Sequence, residues 1–233
     1  MTLFQFGEAE LAALLLSLKI AVIASLLSLP IAIGAAWLLD RLGWFGRSVL
    51  NVIVYAPLVL PAVVIGYLLL LIFGVRGPVG SWLNDVFGVR LVFTTAGAVL
   101  AAAVMSFPLM VRAMRLSLEA IDPGLQFAAR TLGASRLDAF FTITLPLMLP
   151  GILAGFVMAY AAGLGEFGAT ITFASNVAGE TRTLPLAIYT AIQTPGGDAL
   201  ATRLVVLSSL LALVALALSE YVEQRTRAMV FGR

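Results

Sequence analysis

The sequence predicts an all-α fold, a polytopic transmembrane helical bundle with about five spans. Of the 233 residues, 61% carry hydrophobic side chains and 11% are charged. The mean hydropathy of +1.07 lies far above that of soluble globular proteins. Several uncharged runs are long enough to cross a bilayer, for which about 20 helical residues suffice. One long stretch with many charges, residues 112–146, interrupts these runs and is expected to face water; we call it the polar loop.

Five apolar runs are the candidate spans. They cover Leu11–Leu39, Ser48–Val75, Leu91–Val111, Ala139–Gly165 and Ala201–Tyr221. In the second run, Pro57 and Pro61 lie one helical turn apart and predict a kink. The first span is expected to be retained and not cleaved as a signal peptide, because Glu8 and Glu10 precede it where a basic region would be needed.

Two segments between the spans are predicted not to cross the membrane. Arg76–Arg90 is expected to form a loop with a short interfacial piece anchored by Trp82. Thr183–Gly197 is uncharged but short and contains a proline, which predicts a re-entrant or interfacial helix. Counting it as a sixth span would weaken the cytoplasmic bias of the arginines, so five spans are preferred, with the N-terminus outside and the C-terminus in the cytoplasm. This topology places the following arginines inside: Arg41, Arg47, Arg112, Arg115, Arg130, Arg136, Arg225, Arg227 and Arg233.

The sequence of the polar loop predicts two helices joined by a sharp turn at a glycine. A turn at 122–124 precedes a predicted helix over Leu125–Leu132, and Gly133 supplies its left-handed stop. Ser135 lies three residues before Asp138, a capping-box pattern that starts a second helix. A loop with this much structure is expected to be a docking surface, with an ordinary amphipathic cytoplasmic loop as the alternative.

Small residues recur at every fourth position of the fourth span. They are Gly151, Gly155, Ala159 and Gly163. Such a face either lets helices approach closely or leaves room for a pathway. The sequence leaves both interpretations open.

Composition excludes several kinds of function. The chain has no Cys and no His, so neither a catalytic site nor a metal site is expected, and Ser106 has no obvious activator. Lys19, the sole lysine, lies in the first span, so a phosphate-binding Gly-Lys loop is absent and any ATP-driven motor belongs to another subunit. No acidic residue lies in mid-span to relay protons as in a secondary transporter. The net charge of +2 is attributed to orientation in the membrane lipid and not to nucleic-acid binding.

The polar loop resembles the EAA loop of ABC-importer membrane subunits, through which these permeases bind their ATPase. The resemblance rests on Ala128-Ala129, Gly133 and the run 143–146 at the family's spacing, whereas Phe127 replaces a commonly acidic residue. It implies that MgATP is bound by the partner ATPase and that this chain holds no cofactor. The implied docking residues are Glu119, Gln126, Phe127, Ala128, Ala129, Arg130, Gly133, Ala134, Leu145 and Pro146.

Three further stretches resemble the molybdate permeases of this family, namely Ala102–Leu109, Leu164–Phe173 and Gly179–Pro185. The resemblance implies a type I ABC importer permease fold with one transmembrane domain over residues 1–233. It also implies a homodimer, two ATPase subunits docked on residues 119–146, and an external binding protein that delivers molybdate or tungstate. The expected location is a bacterial or archaeal inner or plasma membrane. A sulfate or thiosulfate permease is the alternative, and an ion-coupled secondary transporter a more remote one.

The same resemblance, with the small-residue face, places a translocation path and gate along the fourth span and just after it. The hydroxyls of Thr170 and Thr172 suit oxyanion contacts. Glu166 would repel a dianion, so we expect it to fix the outer end of the span, by pairing with Arg182, in preference to binding substrate. The predicted path and gate residues are Gly151, Gly155, Ala159, Gly163, Glu166, Phe167, Thr170 and Thr172.

Overall fold

The computed structural model describes residues 7–231, with side chains over that range except at 219 and 222–231; Arg225, Arg227 and Arg233 of the predicted inner face lie outside the described side chains. All regular elements in this range are helical. They are α1 (Glu8–Arg41), α2 (Trp44–Val59), α3 (Ala62–Phe73), α4 (Pro78–Phe87), α5 (Thr95–Glu119), α6 (Pro123–Thr131), α7 (Arg136–Ala139), α8 (Leu145–Leu147), α9 (Leu149–Leu164), α10 (Gly168–Phe173), α11 (Leu184–Gln193) and α12 (Asp198–Phe231), with a π-helical turn (Phe140–Thr144) between α7 and α8.

Helix length and composition agree with the five predicted spans. Three helices of the described chain are long and apolar enough to cross a membrane, namely α1, α5 and the Asp198–Leu218 part of α12, and two bent helix pairs raise the count to five. The ten residues of α11 extend about 15 Å, half of the roughly 30 Å hydrocarbon layer. The predicted Thr183–Gly197 segment is therefore too short to be a sixth span.

The predicted second span is broken and not merely kinked. The axes of α2 and α3 differ by 117°. Leu60 and Pro61 between them have extended ψ values of 143° and 137°. Proline disfavours the α region for the residue before it, has no N–H to donate, and clashes with the carbonyl four residues earlier, here that of Pro57. The prediction placed the kink correctly and underestimated its size.

The predicted fourth span, Ala139–Gly165, is also broken. α7, the π-helical turn and α8 form one arm, which meets α9 at 64°. Pro146 and Pro150 both lack the N–H that a regular helix needs, so the ladder of i to i−4 bonds is interrupted twice near the bend at Met148. The longest unbroken helix within the predicted span is α9, with 16 residues.

Helix α5 is displaced from the predicted third span, Leu91–Val111. It begins after Thr94, whose hydroxyl accepts a hydrogen bond from the Gly97 N–H at 3.2 Å. It continues beyond Arg112 to Glu119. The first two turns of the polar loop are therefore a direct extension of a core helix.

The core lies where α1, α5 and α9 pack together. Beside the polar loop it is filled by buried side chains that include Leu39, Met110, Met114 and Met148. At the opposite end, α11 and α12 pack on the start of α1, where buried Leu184 and Leu204 form a second cluster. The polar loop thus rests on one end of a packed bundle.

Candidate functional site

The polar loop folds around a glycine corner, as predicted. Asp122 caps α6 by accepting a hydrogen bond at 2.8 Å from the N–H two residues on. At the other end, Gly133 has a φ of +95°. Its N–H donates to the Arg130 carbonyl and the Ala134 N–H donates to the Ala129 carbonyl, both at 3.1 Å. This pair of bonds is a Schellman motif, which requires a left-handed residue at the position of Gly133.

The second helix of the loop begins with the predicted capping box. The Ser135 hydroxyl accepts from the Asp138 N–H, and the Asp138 carboxylate accepts from the Ser135 N–H, each at 3.1 Å. Hydrogen bonds from the Ser135 side chain and backbone favour the ionised carboxylate, so the pKa of Asp138 is lowered from its ordinary value of 3.8. The start of this helix is set by local sequence alone.

Large apolar side chains of the polar loop are exposed. The exposed fraction is 66% for Phe127, 89% for Leu132 and 59% for Leu137. Exposed apolar patches on a segment that faces water mark surfaces for another protein. All predicted docking residues are exposed or half-buried, namely Glu119, Gln126, Phe127, Ala128, Ala129, Arg130, Gly133, Ala134, Leu145 and Pro146.

A cleft of about 410 Å³ lies beneath α6. Glu119, Gln126, Phe127 and Arg130 contribute to its lining, together with residues at the end of α1 such as Arg41. The remaining predicted docking residues do not line this cleft. The structure therefore gathers part of the predicted set around one concave feature.

Glu119 is engaged within the chain. Its carboxylate lies 3.2 Å from an Arg115 nitrogen and 3.7 Å from an Arg47 nitrogen, and Arg115 also donates to the Asn51 amide oxygen at 3.0 Å. These contacts tie α2 to the end of α5 beneath the polar loop. Sequence reasoning did not place Arg47 or Asn51 beside the end of α5, although their four-residue spacing puts them on one face of α2.

The small-residue face of α9 serves helix packing along its length. A Cβ at Gly151 would lie 2.3 Å from the Ser117 Cβ, and one at Gly155 would lie 3.0 Å from the Met110 carbonyl oxygen. Gly151, Gly155, Ala159 and Gly163 are all buried. Of the two interpretations that the sequence left open, close approach of α5 and α9 is the one that these distances favour.

Glu166 occupies the start of α10. Its carboxylate accepts a hydrogen bond from the Ala169 N–H at 2.7 Å. The predicted pair with Arg182 is wrong, because the Arg182 Nε donates to the Asn176 amide oxygen at 2.9 Å and the ion pairs of the described residues do not join it to Glu166. The exposed N–H groups at the start of a helix offer a carboxylate nearer partners than a distant guanidinium.

The other predicted gate residues are packed against neighbouring elements. The Phe167 and Tyr189 rings lie 5.2 Å apart. Thr170 is 1% exposed, and the Thr172 hydroxyl donates to the Gly168 carbonyl at 2.8 Å. An oxyanion needs accessible donors. In this conformation Thr170 is buried and the Thr172 hydroxyl already donates to a carbonyl, so the structure does not present either hydroxyl to an oxyanion.

The segment between α10 and α11 is held by hydrogen bonds of Glu180, Asn176 and Arg182, of which the sequence analysis singled out Arg182 alone. The Glu180 carboxylate accepts a hydrogen bond from the Thr95 N–H at 3.0 Å. Hydrogen bonds from the backbone and the side chain of Thr95 lower the pKa of Glu180. Asn176 joins Arg182 to Thr190, donating to the latter at 2.8 Å. Thr95 lies 85 positions from Glu180, and Thr190 lies 14 positions from Asn176, so only the resemblance of the Gly179–Pro185 stretch pointed to this segment.

The sequence is similar to those of known transport proteins. Residues 28–228 match the family described as binding-protein-dependent transport system inner membrane component. The chain is 57% identical over 220 residues to the molybdenum transport system permease protein ModB of Escherichia coli strain K12, covering 94% of this chain and 96% of that protein. It is 34% identical to the sulfate transport system permease protein CysT of the same strain, covering 86% and 73% respectively.

A solved structure has the same fold. A chain of a bacterial alginate ABC transporter, crystallised with an alginate pentasaccharide-bound periplasmic protein, matches with a TM-score of 0.75 at 21% identity and covers 96% of this chain and 81% of that chain. The all-α importer-permease fold expected from the sequence is thereby confirmed. With the family match over most of the chain, it follows that this protein belongs to the family of binding-protein-dependent transport system inner membrane components.

Proposed function

We propose that the chain is the membrane-spanning permease subunit of an ATP-driven ABC importer that takes up molybdate, or tungstate as a near-identical tetrahedral dianion. The observation that carries the proposal is its 57% identity, over 94% of its length, to a molybdenum transport permease. The lower identity of 34% to a sulfate permease makes sulfate the second candidate.

The polar loop is the proposed docking surface for a separate ATPase subunit. Its exposed aromatic and aliphatic side chains, among them Phe127 and Leu132, have no cover within the described part of the chain. The cleft beneath α6 supplies a concave partner site with both charges, from Glu119 and Arg130. A protein that inserts an apolar anchor here would bury surface that otherwise contacts water.

Movement of the docked ATPase would reach the bundle through α7, the π-helical turn and α8. Phe140 in that turn packs on Trp37 of α1 with ring centroids 5.3 Å apart, and Met148 at the bend is fully buried. A shift of α6 and α7 therefore displaces both α1 and α9. Alternating access follows if this displacement opens the bundle at one membrane face while it closes the other.

The remaining parts of the complex follow from the same assignment. We place the polar loop and the C-terminus in the cytoplasm and the N-terminus outside, because arginines cluster at the polar loop. A homodimer of this single-domain chain, two ATP-binding subunits and an external oxyanion-binding protein complete the importer. In this proposal the chain itself hydrolyses no ATP, since its sole lysine, Lys19, lies within α1 and a phosphate-binding loop ends in Gly-Lys.

The deciding experiment is the ATPase activity of the reconstituted complex with binding protein loaded with molybdate, tungstate or sulfate. Stimulation by molybdate or tungstate, and not by sulfate, is expected. Stimulation by sulfate alone would transfer the assignment to the second candidate.

A second experiment separates the importer from an ion-coupled transporter. Uptake is measured in vesicles that contain ATP, and in vesicles that have an imposed proton or sodium gradient but no ATP. Uptake is expected only with ATP. Uptake driven by the gradient alone would overturn the proposed energy source.

A further inference from the structure

A cleft of about 490 Å³ opens between α5 and α9 at the end of the bundle nearest the polar loop. Its walls come from the last turns of α5 and the first turns of α9, and they are apolar apart from Arg112 and Ser117; Leu109, Pro150 and Met158 also contribute. Among the described residues, no acidic side chain lines it. The cleft is thus mainly apolar, with Arg112 as the charged side chain among the described residues that line it.

Arg112 is the cation of this region whose charge is not offset. Its neighbour Arg115 donates to Asn51 and pairs with Glu119, and Arg47 also lies within ion-pair distance of Glu119. Arg112 is exposed, and among the described residues it has no hydrogen-bonded or ionic partner. Its guanidinium therefore keeps its full donor capacity.

A second cleft, of about 430 Å³, has Arg112 in common with the first. Tyr55, Asn51, Arg115 and Glu119 line it on the α2 side of α5. Arg112 thus stands between two openings at the same end of the bundle. An anion that leaves between α5 and its neighbours on either side meets this guanidinium.

We infer that Arg112 forms a weak exit site for the transported tetrahedral oxyanion at the cytoplasmic mouth of the bundle, assisted by the Ser117 hydroxyl. This inference rests on the proposed function. A guanidinium presents its donors in a planar fork that matches two oxygens of such an anion. Among the described residues Arg112 is the one cation of the first cleft, and in the second cleft Arg115 is paired with Glu119. One unpaired arginine attracts a dianion and still releases it.

The other source of the same chemistry is a phospholipid phosphate. An arginine near the end of a span commonly extends to the headgroups. Arg112, however, lines clefts whose walls are protein on both sides of α5. The two sources are distinguished by changing the lipid and the internal anion independently.

The test is inhibition of ATP-driven molybdate uptake by molybdate enclosed in proteoliposomes that carry the whole complex. In the wild type, internal molybdate is expected to occupy the exit site and slow uptake. Arg112→Gln is expected to raise the internal concentration for half-inhibition at least tenfold, the size of one hydrogen bond to a charged group. Arg112→Lys, which keeps the charge and loses the fork, is expected to lie between them. Arg76→Gln, an equal change of charge at an exposed position outside both clefts, is the control.

Several results would overturn the inference. The first is an equal half-inhibiting concentration of internal molybdate for the wild type and Arg112→Gln. The second is an absence of inhibition by internal molybdate in the wild type. The third is an effect of Arg112→Gln that appears in anionic but not in zwitterionic vesicles, whatever the internal molybdate concentration. If Arg112→Gln abolishes uptake, equilibrium dialysis of radiolabelled molybdate against the purified permease–ATPase complex decides by the same tenfold criterion. If the wild type takes up sulfate in place of molybdate, the proposed substrate is wrong, and the identical assay with internal sulfate still tests Arg112.

Discussion

Replacing Gly151 by alanine tests whether the small-residue face of α9 holds α5 and α9 together. The new Cβ would lie 2.3 Å from the Ser117 Cβ and 2.9 Å from the Ala113 carbonyl oxygen. The carbonyl belongs to the α5 backbone, so the two helices must separate. Overpacking of this kind costs about 1–3 kcal/mol, and contacts this short belong at the upper end. Alanine recovers about 1 kcal/mol of helix propensity, which leaves a net loss of about 2 kcal/mol.

Gly163→Ala is the matched control in the same helix. Its Cβ would be 3.5 Å from the nearest atoms, which belong to Ala21, an ordinary contact distance. This variant is therefore expected to gain up to about 1 kcal/mol from helix propensity. For a chain of this size, about 1 kcal/mol corresponds to a change of roughly 2–4 °C in melting temperature, so the two variants should melt about 6–12 °C apart.

The assay is thermal unfolding of the purified permease in detergent, followed by loss of its monodisperse elution peak after heating. Adding Ser117→Gly to Gly151→Ala removes the nearest clashing atom and should restore part of the melting temperature. Equal melting of Gly151→Ala and Gly163→Ala would refute the argument, because the face would then be open and not closely packed.

Three further predictions concern the polar loop. Gly133→Asp should abolish partner-stimulated ATP turnover with insertion intact, because it strains the left-handed corner by about 1–2 kcal/mol and also places a negative charge in the proposed docking surface. Gly133→Asn, which brings the same side-chain shape without the charge, should retain more turnover, and wild-type turnover in an assembled Gly133→Asp complex would contradict the idea. Phe127→Ala should weaken association with the ATPase more than Phe127→Leu, and equal co-purification of the ATPase with both would argue against a packing role. Since the pKa of Asp138 is lowered from 3.8 on folding, its contribution to stability is present above that pH and is lost as the pH falls through the folded-state pKa. The melting-temperature gap between wild type and Asp138→Ala should therefore narrow on acidification below about pH 4, and a constant gap would show that ionisation of Asp138 contributes nothing.

The features that sequence reasoning placed correctly are determined within a few residues of chain. The left-handed corner at Gly133 and the capping box of Ser135 and Asp138 each need only their own helix ends, and both are present in the structure. The kink between Pro57 and Pro61 is likewise local in cause. The 117° turn exceeds a kink within one helix, because the extended Leu60 and Pro61 end α2 before α3 begins.

The features that sequence reasoning missed or misplaced depend on contacts between distant segments. Glu180 and Thr95 are 85 positions apart, and no periodicity connects them. Glu166 was assigned to Arg182 on charge alone, whereas the free N–H groups of α10 supply its partner. Until the course of the chain after Gly165 is known, the sequence offers no reason to rank a backbone donor above a guanidinium.

The backbone between the polar loop and the core explains how a local surface can act on the whole bundle. From Arg136 to Leu147 the chain stays helical, through α7, the π-helical turn and α8, and one turn residue, Met148, separates α8 from α9. The 64° bend is therefore made beside prolines and not by a long linker. Before this arm the chain is non-helical from Leu132 to Ser135, with Gly133 in the left-handed region and Ser135 extended at a ψ of 168°. A displacement of α6 is therefore transmitted first through the non-helical corner at Gly133 and then through the helical arm, which leads into α9. Because α9 lies in close contact with α5 at Gly151 and Gly155, we expect a movement of the arm to displace these two core helices together.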